Sequence, residues 1–139
     1  AMVKPGYITD MASTLDLLPT FCEIAGIPLP SDRHYDGISL LNVLKDKSTC
    51  KRYVFYFYRG SELYAIRKGK YKAHFSYRPA YGATDKIVYD KPVLYDLGTD
   101  PGELYNIAEE HPDIVQELTM LANAHKASLK IAKSIFDQK

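Results

Sequence analysis

Apolar and polar side chains alternate from Glu62 to Phe75, and this alternation predicts two β-strands. The tyrosine, isoleucine and phenylalanine side chains of this stretch are typical of a pleated, half-buried surface. Gly69, which follows Lys68, supplies the positive φ that a tight reversal of the chain needs. The stretch therefore predicts a β-hairpin joined at Lys68 and Gly69.

The register of this hairpin stays open, because a shift of one residue exchanges its two faces. With a loop of Lys68 and Gly69 alone, the shared face carries Tyr64, Ile66, Tyr71, Ala73 and Phe75. With a bulged loop from Arg67 to Gly69, the shared face carries Leu63, Ala65, Tyr71, Ala73 and Phe75. In both cases Lys72 and His74 point away from the more apolar side.

The same pattern analysis places the other elements. The apolar run Tyr53–Tyr58 predicts a strand inside the sheet beside the hairpin, and Pro92–Leu97 predicts a further strand. Apolar residues at three- and four-residue steps predict a long helix from Pro112 to about Ile131. Two short helices are expected near the start, over Asp16–Gly26 and about Leu40–Lys45. The order of these elements predicts an α+β fold, with an antiparallel sheet of about four strands and the long helix on one face.

The first of the short helices has clear end signals. Asp16 can cap its free N–H groups, Pro19 lies in the first turn, and Gly26 can take the left-handed position after the end. Its expected buried stripe consists of Leu17, Phe21, Ile24 and Ala25. The helices of this chain are not expected to cover both faces of a four-stranded sheet. Part of the sheet surface should therefore contact another domain.

Composition narrows the classes of function. A chain of 139 residues with 46% hydrophobic content suits one domain with a real core. The net charge of +1, with acidic and basic residues well mixed, gives no electrostatic case for nucleic acid or an anionic membrane. No apolar run approaches the roughly 20 residues of a membrane span, and the start has no signal-peptide pattern.

No catalytic constellation is evident from residue spacing. The four histidines lack metal-ligand spacing, and neither Cys22 nor Cys50 has a cysteine two residues away. Cys22 is expected to be a small buried hydrophobic residue, and whether it pairs with Cys50 stays open. Phosphate loops, nucleophile elbows and paired catalytic carboxylates are also missing from the sequence.

Several groups of residues nevertheless resemble one family when they are taken in order. They are Asp16-Leu17-Leu18-Pro19-Thr20 with Ala25-Gly26-Ile27-Pro28-Leu29-Pro30, Asp36-Gly37-Ile38-Ser39-Leu40-Leu41, Gly69-Lys70-Tyr71-Lys72-Ala73-His74-Phe75, and Leu94-Tyr95-Asp96-Leu97 with Asp100-Pro101-Gly102-Glu103 and Asn106. Together they resemble the C-terminal part of the type I sulfatases, in the branch of arylsulfatase A and N-acetylgalactosamine-6-sulfatase.

The resemblance implies hydrolysis of sulfate esters by a formylglycine beside a calcium ion. The formylglycine arises within a Cys-x-Pro-x-Arg motif, which neither Cys22 nor Cys50 begins. Residues 1–139 are therefore expected to form a C-terminal subdomain that holds neither cofactor and is inactive alone. The implied partners are the catalytic domain and, through it, a sulfated carbohydrate or aryl sulfate. The implied location is secreted, lysosomal or periplasmic.

The resemblance also implies candidates for the rim of the substrate pocket. Lys72 and His74 of the hairpin are two, and the irregular segment expected after it, over Ser76–Lys91, adds Tyr77, Arg78 and Tyr81. Arginine offers charge-assisted donors to anionic groups, and tyrosine offers flat faces to sugar or aryl rings. The alternative is structural: a hydrogen-bonded histidine, a solvated arginine, and tyrosines that cover sheet edges. Asp100 and Glu103 are expected to be turn and helix-cap residues.

A second hypothesis belongs to another class of protein. The chain would be an independent carbohydrate-binding or protein-interaction module, with the tyrosine-rich strand Tyr53–Tyr58 as an aromatic platform. It predicts a monomer that binds glycans, whereas the sulfatase hypothesis predicts exposed apolar surface and possible self-association.

Overall fold

The computed structural model describes residues 3, 5–8, 10–46, 50, 52–79 and 85–129. The chain forms two compact units, which we call the N-terminal unit (Ala1–Tyr53) and the sheet unit (Val54–Lys139). Short helices, four strands and a longer helix follow one another along the chain, so the predicted α+β class is confirmed.

The sheet unit is built on four antiparallel strands in sequence order. They are β1 (Val54–Arg59), β2 (Glu62–Lys68), β3 (Tyr71–Tyr77) and β4 (Ile87–Asp96). Each strand pairs with its neighbour along the chain, which is the arrangement that short connections favour. β1 was expected inside the sheet, but it lies at one edge.

The turn between β2 and β3 lies one residue later than predicted. Lys68 pairs with Tyr71, which leaves Gly69 and Lys70 as the loop, and Gly69 has a φ of 57°. A β-bulge where β2 pairs with β1 then changes the alternation, since Phe57 is opposite Ala65 but Tyr58 is opposite Leu63. As a result Leu63 and Ile66 both enter the core, a combination that neither predicted register contained.

The helix α3 (Pro112–Ser128) covers one face of this sheet, as predicted. Its Leu118 and Ala122 meet the fully buried side chains of Ile66 and Leu94. Near its C-terminal end, the His125 ring stacks on Tyr56 with centroids 3.6 Å apart. Pro112 occupies the first helical position, where its missing N–H costs nothing. The helix ends three residues before the predicted Ile131, which lies outside the described residues.

β4 begins earlier than predicted, because Ile87 to Lys91 are already extended. Pro92 is tolerated within this strand because it lies between Val88 and Val93, a stretch that has no paired partner on β3, so its missing N–H removes no ladder hydrogen bond. The pairing with β3 shifts between His74 and Ser76. The connection after Phe75 is thus much shorter than the irregular segment expected over residues 76–91.

The N-terminal unit contains a 3-10 turn (Thr14–Asp16), α1 (Leu17–Ala25) and α2 (Leu41–Asp46). Gly26 ends α1 in the left-handed conformation with a φ of 68°, as its position predicted. Asp16 precedes α1 but its side chain does not cap it, contrary to expectation. The Asp16 carboxylate instead accepts hydrogen bonds from the N–H groups of Ser13 (2.8 Å) and Ile38 (2.9 Å).

Asp16 is the centre of a buried polar network in this unit. Its carboxylate is fully buried and pairs with the Arg52 guanidinium. One turn along, the Thr20 hydroxyl donates to the Asp16 carbonyl (2.6 Å) and accepts from the N–H of Leu40 (2.9 Å). The network holds the segment after Asp36 against α1. Gly37 makes this approach possible, since a Cβ there would lie 2.0 Å from the Leu15 carbonyl oxygen.

The predicted buried stripe of α1 is wrong. Leu17, Phe21 and Ile24 are 49%, 60% and 51% exposed, and Ala25 is exposed as well. The side chains of α1 that this unit buries are Pro19, Thr20 and Cys22, which lie on the side of the polar network. Among the helices that the structure describes, none combines the length and the hydropathy that a membrane span requires.

Candidate functional site

The candidate site lies on the face of the sheet that α3 does not cover. Successive side chains of a strand point to opposite faces, so Lys72 and His74 of β3 lie opposite the core residue Ala73. Both side chains are largely buried, with 16% and 15% exposure. The predicted orientation of the two residues is confirmed.

Glu103 joins these two side chains into one ionic cluster, Lys72–Glu103–His74. One of its carboxylate oxygens lies 2.5 Å from the Lys72 Nζ, and the other lies 2.7 Å from the His74 Nε2. Among the described residues, however, the His74 Nε2 has no partner with good hydrogen-bond geometry. The two atoms are close, but their alignment is poor for a hydrogen bond.

The turn after β4 places Glu103 at this position. The Glu103 N–H donates to the Asp100 carbonyl (3.2 Å), and the Asp100 carboxylate accepts from the N–H groups of Leu104 (2.8 Å) and Tyr105 (2.9 Å). Glu103 has a φ of 55°, an uncommon conformation for a residue with a side chain. Such backbone strain persists only where the surroundings hold it, and it concentrates at functional sites.

Asn106 fastens the same loop to the edge of the sheet. Its side-chain oxygen accepts hydrogen bonds from the N–H groups of Leu94 (3.0 Å) and Ala108 (3.1 Å). The N–H of Ile107 donates to the Leu94 carbonyl (2.9 Å). The Asp-Pro-Gly-Glu turn and Asn106 therefore form a rigid support for the cluster.

Burial dominates the electrostatics of His74. It lowers the pKa of the imidazole below its usual 6.5, and the positive charge of Lys72 lowers this pKa further. The Glu103 carboxylate acts in the opposite direction without cancelling the first two effects. The lowered pKa favours the neutral imidazole at pH 7, and a neutral ring can both donate and accept a hydrogen bond.

Aromatic rings surround the cluster. The Lys72 Nζ lies 4.6 Å from the centroid of the Phe57 ring, and the His74 and Tyr95 rings meet edge to face at 5.7 Å. Burial raises the pKa of the Tyr95 hydroxyl, and the nearby Tyr89 and Glu103 raise it further. The phenol thus stays protonated and available as a donor.

Two open cavities flank the cluster. The larger, of about 390 Å³, is lined by Tyr77, Tyr89 and Tyr95 together with His74 and the Pro101–Glu103 turn. The smaller, of about 210 Å³, lies on the side of β1 and β2, with Lys72 and Arg78 on its wall. His74 and Tyr77 line both cavities, so the cluster forms the ridge between them.

The structure brings together four of the five candidates chosen from the sequence. Lys72, His74, Tyr77 and Arg78 line the smaller cavity, and Tyr81 lies outside the described residues. Sequence reasoning missed Glu103, which it assigned to a turn and a helix cap. The turn is confirmed, but the N-cap position of α3 belongs to His111. The charge of Glu103 beside a glycine turn was the available signal.

The described residues do not fit the cofactors of a sulfatase centre. They contain no group of three or more histidine, cysteine or acidic side chains that would hold a metal ion. Cys22 and Cys50 are buried free cysteines, and neither is followed by the proline and arginine of a formylglycine motif.

The family of the chain follows from its sequence. Residues 50–139 match the family model described as the C-terminal region of aryl-sulfatase. The chain belongs to the sulfatase family. The matched region contains all of β1 to β4 and α3, so the sheet unit and its ionic cluster are parts of a sulfatase C-terminal region.

Curated sulfatases match most of the chain. Human arylsulfatase A is 37% identical to it, over 86% of this chain and 27% of the relative. An arylsulfatase of Hemicentrotus pulcherrimus is 31% identical over 97% of this chain, and the N-acetylgalactosamine-6-sulfatase of Sus scrofa is 29% identical over 90%. The chain spans less than a third of the length of each of these relatives.

Solved structures give the same result for the fold. A structure from work on glycosaminoglycan metabolism by Bacteroides thetaiotaomicron superposes with a TM-score of 0.71 and is 32% identical, over 91% of this chain and 27% of that chain. A sulfatase from Pseudoalteromonas sp. superposes with a TM-score of 0.68 over 81% of this chain and 25% of that chain, at 24% identity.

Proposed function

We propose that this chain is the C-terminal accessory portion of a sulfatase that hydrolyses sulfate esters. In this proposal it completes the fold of the enzyme and borders its substrate pocket, and it has no catalytic centre of its own. Formylglycine and calcium belong to the remainder of the enzyme, in a catalytic domain that is this chain's partner. The family match and the short span relative to full-length sulfatases support this assignment.

The observation that carries the rim role is the Lys72–Glu103–His74 cluster. The core of the sheet unit lies on the opposite face, so the fold does not need charged groups here. Partly buried ion pairs contribute little to stability, because desolvation offsets much of their attraction. The cluster lies between two cavities and combines a lysine, a neutral histidine and a strained glutamate. A role in ligand binding explains this combination better than a role in stabilising the fold.

The chemistry of the site suits the part of the substrate that does not react. Lys72 and Arg78 supply positive charge for anionic groups, and neutral His74 supplies a donor and an acceptor for hydroxyl groups. Tyr77 and Tyr95 supply ring faces and phenol groups. A sulfated sugar or aryl sulfate offers matching groups, and the reacting sulfate would lie with the catalytic domain.

Mutant kinetics of the full-length sulfatase that carries this sequence test the rim role. We expect Lys72→Met and His74→Gln each to raise KM about 3- to 30-fold with kcat nearly unchanged, because they remove contacts that are equal in the ground and transition states. Lys68→Met is the matched control, since Lys68 pairs with Glu117 on the α3 side of the sheet. An unchanged KM in both rim variants would contradict the proposal.

The isolated 139-residue chain gives a second test. We expect no hydrolysis of an aryl sulfate by this chain, because the described residues contain no metal-binding group and neither cysteine begins the formylglycine motif. Aryl sulfate hydrolysis that co-purifies with the chain through successive chromatography columns would overturn the accessory role.

The packing of β1 weighs against the independent carbohydrate-binding module. Tyr56 stacks on His125 beneath α3, and Tyr58 meets the edge of the same ring at 5.9 Å. These two tyrosines contact a side chain of the helix, whereas Tyr53 is 73% exposed, so only part of the expected aromatic platform is open to a glycan.

A further inference from the structure

The feature with no role so far is the apolar side of α1. Leu17, Phe21 and Ile24 follow one another at steps of four and three residues, which places them on one side of the helix. Leu18 lies next to them and is 45% exposed. We call these four residues the α1 stripe.

The α1 stripe is part of a larger apolar surface. Leu15 before the helix and Ile27 after it are 51% and 57% exposed. From Leu15 to Ile27 the charged residues are Asp16, which is buried, and Glu23. A surface with several half-exposed large apolar side chains and so little charge is typical of a contact site and not of a solvated face.

The stripe does not result from a helix that lacks contacts. The opposite side of α1 already packs within the N-terminal unit, through Thr20, Cys22 and the network around Asp16. The orientation of the helix is thereby determined, and it leaves the most apolar side outward. The sequence pattern predicts burial for that side, so it needs a partner beyond the N-terminal unit.

The comparisons indicate which partner this is. The match to the family model of the sulfatase C-terminal region begins at residue 50. This position is close to the boundary between the two units at Tyr53 and Val54. The relatives nevertheless match 86% to 97% of the chain, so sequence before residue 50 is also sulfatase sequence. The N-terminal unit thus corresponds to a part of sulfatases that precedes the C-terminal region.

We infer that the α1 stripe packs against an apolar surface of the sulfatase polypeptide N-terminal to this sequence. This inference rests on the proposed function and adds the surface through which the accessory portion joins the catalytic domain. The contact would be dry and apolar, because the stripe carries no charge with which to recognise a polar surface.

The size of the stripe favours a partner within the same chain. A helix of nine residues is only about 14 Å long, and a stable dimer between separate molecules usually buries more than about 1,000 Å². A covalently linked partner needs far less area, because the connection supplies a high effective concentration. A second copy of this chain is therefore the weaker alternative.

Thiol labelling compares the exposure of the stripe in two settings. Phe21→Cys is introduced into the 139-residue chain and into the full-length sulfatase, and reaction with a maleimide is followed. We expect labelling in the full-length enzyme to be at least about tenfold slower, since a buried thiol reacts only when the contact opens. Met120→Cys, at an exposed position of α3, is the matched control and should label at similar rates in both.

A charge scan gives a second readout that does not depend on activity. Phe21→Asp and Ile24→Asp should lower the melting temperature of the full-length enzyme, whereas Met120→Asp should change it little. Equal labelling of Phe21→Cys in both settings, with Phe21→Asp no worse than Met120→Asp, would overturn the inference. Slower labelling only at high concentration of the isolated chain would also overturn it, in favour of a second copy.

These readouts separate this inference from the proposed function. Protection of the stripe is measured without substrate, while the rim role is measured as a change in KM in Lys72 and His74 variants. If the full-length protein lacked sulfatase activity but protected Phe21→Cys, the proposed function would fail and the docking surface would stand.

Discussion

The two longer helices of this protein, α1 and α3, make opposite use of similar apolar faces. Leu118 and Ala122 of α3 pack against the sheet of the same unit, and both side chains are buried. α1 leaves Leu17, Phe21 and Ile24 about half exposed and packs through its other side. The comparison teaches that an apolar stripe indicates burial without indicating which partner supplies it.

The two units also differ in the interactions that stabilise each of them internally. The sheet unit has a continuous apolar core between four strands and a helix. The N-terminal unit depends on a buried carboxylate, Asp16, whose hydrogen bonds and ion pair tie α1 to distant residues. Apolar packing tolerates small changes in shape, whereas a buried ionic network fails when one partner is removed.

The largest effect is expected where that network is broken. Asp16→Ala leaves the Arg52 guanidinium buried beside an apolar side chain, and removing one partner of a buried pair costs about 3 to 5 kcal/mol. Hydrogen exchange should show lost protection at the Ile38 and Leu40 amides, with the sheet unit unchanged. Asp32→Ala is the control, because its pair with Arg33 is exposed. Retained protection at Ile38 would contradict the role of Asp16.

The next largest effect is expected in the core of the sheet unit. Leu118→Ala removes a side chain that is 1% exposed, and such truncations cost about 2 to 5 kcal/mol. Urea unfolding followed by hydrogen exchange at the β2 and β3 amides measures it. Met120→Ala, two residues along the same helix but 64% exposed, should change little. Equal effects would mean that α3 does not cover the sheet as described.

A smaller effect is expected from the close approach at Gly37. Gly37→Ala places a methyl group against the Leu15 carbonyl, and overpacking of this kind costs about 1 to 3 kcal/mol. Gly102→Ala is the control, since its added Cβ would meet its nearest neighbour at 3.5 Å. Thermal unfolding of the N-terminal unit measures the difference, and no difference between the variants would mean that the approach is looser than described.

The pH dependence of the sheet unit should report the burial of His74. Its folded pKa is lower than the unfolded value of about 6.5, so the unfolded chain binds the proton more readily. The free energy of unfolding should therefore fall as the pH drops from about 6.5 toward the lowered folded pKa. Urea midpoints between pH 8 and pH 5 measure this trend, and His74→Gln should flatten it. A wild-type midpoint that rises on acidification would contradict the sign.

The smallest effect is expected at the α1 stripe in the isolated chain. Phe21→Ala should stay within about 0.5 kcal/mol of the wild type, because a mostly exposed side chain loses few contacts. This is the direct counterpart of Leu118→Ala on the other helix. A loss of 2 kcal/mol or more in the monomeric chain would mean that Phe21 already has a partner there.

Much of the candidate site was predictable from the residues of one strand. Alternation in β3 placed Lys72 and His74 on the same side, away from Ala73. Glu103 was not predictable as their partner, since it lies 29 to 31 positions further along the chain. The Asp100-Pro101-Gly102 sequence indicated a turn, but only the folded chain shows that the turn aims the next side chain at the cluster.

Local chemistry in the sequence determined where several elements of this protein begin or end. Gly26 ends α1, Gly69 reverses the hairpin and Pro112 begins α3, because each of these backbones has a conformation that its neighbours in sequence suffice to predict. The tertiary structure alone decided the bulge that brings Leu63 beside Ile66, the partner of Asp16, and the exposure of the α1 stripe. Those features depend on contacts between residues far apart in sequence, and the pattern of a single segment carries no information about what will pack against it.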